Sequence, residues 1–315
     1  MDEPVTDVMA WLRDADPALR WQVLRDLDDA PAEAVEAERA RTPETGWVAD
    51  LLARQDADGR WAGALYSPKW TSTTYTLLLL ERLGLPSGHP QALAGCRVLW
   101  DGAQYVGGGL TITSAKASSP EACVTGMLVR LAASFGYDDP RVGSVVEWLL
   151  GQQLDDGGWN CRSIRTGSTH GSFHTTITAL EALQARRTGA GVEEEVLAAG
   201  REFLLEHRMF RSHRTGTVVD SAYKRFPFPP QWHYDLLRGL EHFRDAGAPY
   251  DDRLAEAVQV VRDAQQPDGT WHRARPYPGR TWFTLEPAGP SRWATLRALR
   301  VLQWWEAGRS APTRR

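Results

Sequence analysis

Three residues that could bind a metal ion stand at the same place in successive repeats of this sequence. Each repeat has an anchor residue, and the position three residues after the anchor is occupied in turn by Thr71, Cys123, His174, His233 and Trp293. A further thiol, Cys161, lies two residues after Trp159, in the segment that leads to His174. Two thiols and two imidazoles can hold Zn²⁺ in tetrahedral geometry. The spacing therefore predicts a zinc site made of Cys123, Cys161, His174 and His233, with His170 as a substitute ligand.

A structural interpretation of the same residues stays open. A single cysteine is commonly a small buried hydrophobic residue, and a histidine at the start of a helix often bonds only to the backbone. Cys96 lies in the amphipathic segment LAGCRVLW and is expected in the core.

The elements that carry these residues are helices of a repeated type. The anchors are Pro68, Pro120, Gly171, Pro230 and Pro290, and proline is favoured at the first position of a helix because its missing N–H costs nothing there. Five residues after each anchor stand Thr73, Thr125, Thr176, Asp235 and Thr295. The segments that follow, such as YTLLLL and ITALEAL, are apolar nearly all round, which predicts buried inner helices.

A second motif precedes these helices. The pattern Q-x3-G-x-W occurs at Gln55 to Trp61, Gln153 to Trp159 and Gln265 to Trp271. Each copy follows an amphipathic stretch with a charged face, which predicts an outer helix that ends at a glycine turn. The repeat unit is about 50–60 residues long, as expected for a pair of helices. The sequence predicts an all-α toroid of five to six such hairpins, in one domain with N-terminal helices at 1–46, the barrel at 47–305 and a disordered tail at 306–315.

Composition limits the class of protein. The net charge of −4 gives no general electrostatic case for binding nucleic acid, and three cysteines are too few for a disulfide framework. The first residues lack the pattern of a signal peptide, and no apolar stretch is long enough to span a membrane. We therefore expect a soluble cytoplasmic protein. Its 14 tryptophans indicate either repeated structural anchors or an aromatic-lined cavity.

The Q-x3-G-x-W repeat resembles that of the terpenoid cyclase and protein prenyltransferase superfamily, over roughly residues 47 to 305. In size the chain is similar to a prenyltransferase β subunit or to one domain of a squalene–hopene cyclase. The resemblance implies an inner-helix barrel with an apolar, aromatic-lined cavity. It also implies a zinc site, because the prenyltransferases use an Asp-x-Cys pair and a histidine from the next inner helix. Here Glu121, Cys123 and His174 stand in similar places, with glutamate in place of aspartate.

Two acidic sites are candidates for proton transfer. Asp26, Asp28 and Asp29 match the D-x-D-D string with which squalene–hopene-type cyclases protonate an alkene, although the context here is typical of a solvated helix end. Asp235 is the better internal acid, because it replaces the repeated threonine of an inner helix. A buried aspartate needs a partner, which His233 or an arginine can provide. We therefore assign Asp235, His233 and Glu121 to catalysis.

Substrate-binding residues are predicted at the same end of the barrel. The aromatic lining is expected to consist of Trp70, Phe173, Trp232, Trp282 and Trp293. A long basic segment, RMFRSHRTGTVVDSAYKRFPFPP, contributes Arg211 and Arg214, and Lys116 comes from a neighbouring connection. These cations can clamp a phosphate or carboxylate, or can simply belong to solvated loops.

Three classes of function are compatible with these features. The first is a cyclase or prenyltransferase-like enzyme for an apolar, isoprenoid-like small molecule, although an α-type partner subunit for transfer to protein is not evident. The second is a zinc-dependent, thiol-activating enzyme similar to lanthionine cyclases, whose signature Cys-His neighbour pair is absent. The third is a toroid that binds a lipid or peptide without catalysis. A sugar-cleaving lyase can use a similar barrel, but no charge-rich cleft pattern in the sequence demands one.

Overall fold

Helices make up most of the described chain, with one small hairpin of strands. The structure is a computed structural model that describes residues 5–113, 119–187 and 192–310. The helices are α1 (Val8–Arg13), α2 (Pro17–Asp26), α3 (Ala32–Ala40), α4 (Gly46–Leu52), α5 (Thr73–Leu83), α6 (Pro90–Gly102), α7 (Ala122–Phe135), α8 (Val142–Leu150), α9 (Arg162–Thr166), α10 (Phe173–Arg186), α11 (Glu194–Glu206), α12 (Leu236–Asp245), α13 (Ala255–Asp263) and α14 (Arg292–Ser310). Strands β1 (Gln104–Val106) and β2 (Gly109–Thr111) pair antiparallel, and 3₁₀ turns cover Ser221–Lys224 and Asp252–Leu254. Within the described ranges, no helix is both long and apolar enough to cross a membrane.

The long helices form two concentric rings. The inner ring runs α2, α5, α7, α10, α12 and α14, and it closes because α14 packs against α2. Trp21 of α2 completes the circle by donating to the carbonyl of Leu83 at the end of α5, at 3.1 Å. Helices α4, α6, α8, α11 and α13 lie outside and pack against the inner ring. The predicted all-α toroid is confirmed.

The boundaries differ from those predicted in three places. Helix α2 lies within the segment assigned to preceding helices, yet it belongs to the inner ring. Helix α14 continues to Ser310, so residues 306–310 are helical rather than a tail. The inner helices begin two to six residues after their anchors, so the anchor proline is not the first helical residue. In α12 the late start is explained by Asp235, whose carboxylate accepts the Arg238 N–H and caps the helix at Leu236.

The three Q-x3-G-x-W segments make the same local bonds. The indoles of Trp61, Trp159 and Trp271 each donate to a carbonyl ten residues earlier, at 2.8, 2.8 and 2.7 Å, which ties the turn to the end of an outer helix. Each motif glutamine donates to the carbonyl of the motif glycine, at 2.9 to 3.1 Å. Those glycines have φ between +80° and +86°, a left-handed conformation that favours glycine. These three tryptophans are therefore structural anchors, not cavity lining.

The repeated threonines join each turn to the inner helix that follows it. The hydroxyls of Thr73, Thr125, Thr176 and Thr295 each accept a backbone N–H from the preceding turn, at 2.9 to 3.0 Å. In three of the four copies that N–H belongs to the motif tryptophan. Because all four threonines are fully buried, losing this acceptor would leave a buried N–H without a partner. The repeated threonines thus have a structural role, and Asp235 stands where the remaining repeat lacks the threonine.

The inner ring surrounds charged side chains near the ends of its helices. A chain of ion pairs links neighbouring inner helices and borders a cavity of about 200 Å³. The pairs are Asp26–Arg300, Glu241–Arg300, Glu181–Arg238, Glu181–Arg130 and Glu81–Arg130. The resemblance implied an apolar, aromatic-lined cavity, whereas this cavity has a charged lining. The reason is that every inner helix contributes an acidic or basic side chain to this part of the barrel, and these residues neutralise one another.

This network makes stability sensitive to acid. Burial disfavours the charge of Glu241, but Arg297 and Arg300 outweigh it and hold its pKa at about 2, below the ordinary 4.5. Burial also opposes ionisation of Asp26, yet Arg25, Arg244 and Arg300 keep its pKa at about 2, below the ordinary 3.8. A carboxylate with a depressed pKa stabilises the fold above its unfolded pKa, and this contribution is lost as pH falls to the folded value.

We therefore expect the free energy of unfolding to fall between pH 4.5 and about 2, by on the order of 5 kcal/mol from these two groups. Urea unfolding across this pH range measures the change. A Glu241→Gln variant is the control, since it should show a shallower pH dependence. A free energy that stays level as pH falls through this window would contradict the prediction.

Candidate functional site

Aromatic rings gather where the inner helices begin. Trp70 precedes α5, and Trp232 and His233 precede α12. The imidazole of His233 is stacked between Trp232 and Tyr277, with centroid distances of 3.9 and 3.5 Å, and Trp70 meets it edge-on at 5.9 Å. We call Tyr66, Trp70, Trp232, His233 and Tyr277 the aromatic cluster. The ammonium of Lys69 lies 5.3 to 5.6 Å from the rings of three of these residues, within cation–π distance.

A long connection covers this end of the barrel. We call residues 272–290, between α13 and α14, the mouth loop. It is held by reciprocal backbone hydrogen bonds at 2.7 Å, from Trp70 N to Arg280 O and from Arg280 N to Lys69 O. The indole of Trp282 reaches inner helix α5, where it donates to the hydroxyl of Thr76 at 2.9 Å. Structureless connections of this length are commonly functional.

Two adjacent cavities lie under the mouth loop. Their volumes are about 230 and 40 Å³. Both are lined by Trp70, Pro229, Gln231, Thr281, Phe283 and Leu285. The larger adds Tyr277, and the smaller adds Tyr75 and Trp282. Together they form one cleft whose walls are mostly aromatic, proline and leucine side chains, with Arg273 and Glu286 at the larger cavity.

Asp235 is a fully buried acid close to this cleft. One carboxylate oxygen, Oδ1, accepts the Arg238 N–H at 2.8 Å and lies 3.6 Å from Arg297. The other, Oδ2, is buried and has no hydrogen-bond partner among the described residues. Burial raises the pKa of Asp235 in spite of Arg297. The partner of Asp235 is thus an arginine, one of the two alternatives the sequence left open, and its free oxygen favours the protonated form.

Tyr277 lines the cleft and lies within electrostatic reach of Asp235. Burial raises the pKa of Tyr277 to about 12, and the charge of Asp235 adds to the shift. The same phenol lines the larger cavity and stacks on His233. No sequence pattern predicted a role for Tyr277, Lys69, Tyr66 or Tyr75. The one available signal was the unusual length of the segment between Trp271 and Pro290.

The two histidines lie side by side and are neutral. Their ring centroids are 5.8 Å apart. Burial lowers the pKa of His174 to about 4, and nearby Arg238 adds to this shift. Burial likewise lowers the pKa of His233 to about 3, with a further contribution from His174. His174 uses Nδ1 to accept the N–H of Tyr234 at 2.8 Å, so its proton is on Nε2.

The two cysteines form a separate pair. Their sulfur atoms are 2.8 Å apart, and Cys161 Sγ also accepts the Cys123 N–H at 3.2 Å and the Thr175 hydroxyl at 3.6 Å. Because Cys161 already accepts two hydrogens, the proton between the sulfurs belongs on Cys123. The hydrogen bond with Cys161 raises the pKa of Cys123. Glu121 lies beside this pair, and its charge raises the pKa of Cys123 further. Glu121 Oε2 is buried without a partner among the described residues.

These residues do not fit the predicted zinc ion as they stand. Within the described ranges, no group of three or more His, Cys, Asp or Glu side chains is placed to hold a metal. Nδ1 of His174 is occupied by a backbone N–H, and His233 is enclosed by stacked rings. Zinc binding stays a prediction.

Several predicted substrate-binding residues lie elsewhere. Phe173 packs against Phe203, Tyr223 and Tyr234, and Trp293 is stacked on Phe228, so both are core residues. Phe173 points between the inner and outer rings of helices, and Trp293 lies under the loop before α12, so neither side chain lines the cleft. Trp70, Trp232 and Trp282 do belong to the aromatic cluster or the cleft.

The predicted cations do not gather at the cleft. Arg211 is ion-paired with Glu256 at the start of α13, and Arg214 lies 2.6 Å from Nε2 of His170. Neither residue lines the two cavities of the cleft. Glu256 neutralises Arg211, and the anion clamp stays a prediction. Lys116 lies outside the described residues.

The D-x-D-D string is not a proton donor. Asp26 is ionised within the inner-ring network, with a pKa of about 2. Asp28 is paired with Arg13, whose hydrogen bond lowers the pKa of that carboxyl. The first residue of the string is not solvated as expected, since the side chain of Asp26 is only 8% exposed, whereas Asp29 at its end is exposed. The location of Asp26 follows from α2 being an inner helix.

Comparisons with known proteins give similar architectures. No protein-family model matches the sequence, and no curated protein matches it. A protein from Actinoplanes with a known crystal structure is 20% identical to this chain in sequence. The match covers 94% of this chain and 91% of that chain, with a TM-score of 0.49. The type II terpene cyclase MstE from Scytonema is 15% identical, with 96% and 88% covered and a TM-score of 0.46. A variant of MstE in complex with its substrate, geranylgeranyl dihydroxybenzoate, is 14% identical, with 96% and 87% covered and a TM-score of 0.46. At such low identity a similar architecture does not define the reaction.

Proposed function

We propose that this protein is an enzyme that cyclises an apolar, isoprenoid-like molecule, with Asp235 as the proton donor. The observation that carries the proposal is a fully buried carboxyl with one free oxygen, close to an aromatic cleft. Enzymes place an acid of raised pKa in an apolar site when a neutral substrate must be protonated. The structural resemblance to cyclases of isoprenoids is consistent with this substrate class.

The proposed reaction is an isomerisation. The proton of Asp235 Oδ2 adds to the terminal alkene, and the remaining carbon becomes a tertiary cation. A second alkene of the same molecule attacks this cation and closes a ring, a neighbouring carbon loses a proton to restore an alkene, and the carboxylate of Asp235 takes up a proton again before the next turnover. The faces of Trp70, Trp232 and Tyr277 are suited to stabilise the cation by cation–π attraction. Water must be kept out, because it would trap the cation as an alcohol.

Substrate entry requires the mouth loop to open. Ligand pockets for small molecules usually have volumes of roughly 300–1,000 Å³, whereas the two cavities measure about 230 and 40 Å³. Trp282 lines the smaller cavity and is held to inner helix α5 by a single hydrogen bond to Thr76. Displacing this side chain would enlarge the smaller cavity.

The test is a reaction in heavy water. Purified protein is incubated with linear polyprenyl alcohols and prenylated phenols, and the products are analysed by gas chromatography with mass spectrometry. We expect a cyclic isomer of the substrate that carries a single solvent deuterium, because the initiating proton comes from an exchangeable carboxyl. A product that lacks deuterium would contradict protonation by Asp235. Binding without any product from this series would favour the non-catalytic toroid instead.

A further inference from the structure

We infer that Cys123 and Cys161 are a reversible dithiol–disulfide pair that is oxidised by hydroperoxides. The inference is independent of the proposed cyclisation. It concerns two cysteines that the fold brings together although they are 38 positions apart in the chain.

The first support is the approach of the two sulfur atoms. Sγ of Cys123 and Sγ of Cys161 are 2.8 Å apart, with no other group between them. Cys123 is the second residue of α7, and Cys161 lies in the connection before α9, so the two side chains are presented by different elements. A short approach from two separately anchored segments is what formation of an S–S bond requires.

The second support is the polar environment of Cys161. Its sulfur accepts the backbone N–H of Cys123 at 3.2 Å and the hydroxyl of Thr175 at 3.6 Å. Donors directed at a sulfur stabilise its thiolate, which is the form that attacks peroxides. The third cysteine has a different environment: Cys96 is 1% exposed within α6, and among the described residues its sulfur has only a carbonyl, Leu131 O, at 3.9 Å.

The chemistry has two steps. Cys161 sulfur attacks one oxygen of the hydroperoxide, the O–O bond breaks, and the other oxygen leaves with a proton as water or alcohol. This step leaves a sulfenic acid on Cys161. Cys123 sulfur then attacks Cys161 sulfur, the S–O bond breaks, and the oxygen leaves as water. The two thiols together lose two electrons and the peroxide gains them. A small oxidant suits the site, because Cys161 is only 9% exposed.

The experiment counts free thiols after oxidation. Folded protein is treated with hydrogen peroxide, the excess is removed with catalase, and the chain is unfolded in N-ethylmaleimide and weighed by mass spectrometry. We expect the label to fall from three per chain to one, on Cys96, and to return to three after dithiothreitol. The Cys96→Ser variant is the matched control, with two labels before oxidation and none after it.

Two further measurements make the result decisive. In the Cys123→Ala variant, Cys161 should accumulate sulfenic acid that dimedone traps, because the resolving thiol is missing. Crosslinking in the folded wild type should be roughly tenfold or more faster than in urea, because the fold holds the sulfurs together. Three labels after peroxide treatment, or a crosslink that involves Cys96, would overturn the inference. Crosslinking at equal rates in folded and unfolded chains would overturn it as well.

Discussion

Replacing Asp235 by asparagine should lower the cyclisation rate by a factor on the order of 10³, the usual contribution of a positioned general acid. The amide has almost the shape of the carboxyl, and its oxygen can still accept the Arg238 N–H that begins α12. It has no acidic proton, so the alkene is not protonated. Turnover of the polyprenyl substrate, measured for variant and wild type at one substrate concentration, gives the factor.

The same variant should be at least as stable as the wild type at neutral pH. Burial raises the pKa of Asp235, and a carboxyl with a raised pKa loses its stabilising contribution as pH rises through the folded value. Removing the titrating group removes this penalty. Thermal unfolding measured at several pH values should therefore show that the stability advantage of Asp235→Asn over the wild type becomes smaller at acidic pH. The wild-type carboxyl is already protonated there.

Two controls separate chemistry from folding. Asp235→Thr restores the residue found in the other four repeats, so it should fold and be inactive. Asp263→Asn changes an exposed carboxylate at the end of outer helix α13 and should leave turnover as in the wild type. If Asp235→Asn folds and keeps its rate, the proton must come from another group.

Glu181→Gln should destabilise the fold by about 3–5 kcal/mol, the cost of removing one partner from a buried ion pair. Glu181 of α10 is bound by Arg130 of α7 and Arg238 of α12, and Arg82 of α5 lies 3.5 Å away. Burial opposes its charge, but these guanidinium groups hold its pKa well below the ordinary range. A glutamine would leave several buried cations near one another with too little negative charge.

The stability change is measured by urea unfolding at neutral pH. Glu195→Gln is the matched control, because Glu195 is exposed on outer helix α11 and should change stability by less than about 0.5 kcal/mol. If Glu181→Gln lowers the free energy of unfolding by no more than Glu195→Gln does, the ion-pair network does not hold the inner ring together. The cleft would also be affected by the loss, because Arg238 donates to the carbonyl of His233 as well.

Sequence reasoning reached the site in part. It assigned Asp235, Trp70, Trp232 and Trp282 to the functional end; in the structure Trp70 and Trp282 line the cleft, Trp232 stacks on His233, and Asp235 is buried at the start of α12. It aligned His233 with Cys123 and His174, and the two histidines do lie side by side, but Cys123 pairs with Cys161 instead. The alignment is not exact, because α12 begins at Leu236 whereas α7 and α10 begin just before the aligned residues. A shared register sets the height of a residue along the barrel. It does not set the direction of the side chain, which turns by about 100° per helical residue.

The sequence by itself determined the repeat, the two rings of helices and the residues that join each turn to its helices. These features depend on bonds between residues close in the chain, such as Trp159 with Leu149 and with Thr176, so a motif of fixed spacing encodes them. Only the tertiary structure decided what fills the ring, how cysteines and histidines divide into two pairs, and that Tyr277 covers His233. Those contacts join side chains tens to hundreds of residues apart, and their outcome depends on how burial and charge balance once all six inner helices are in place.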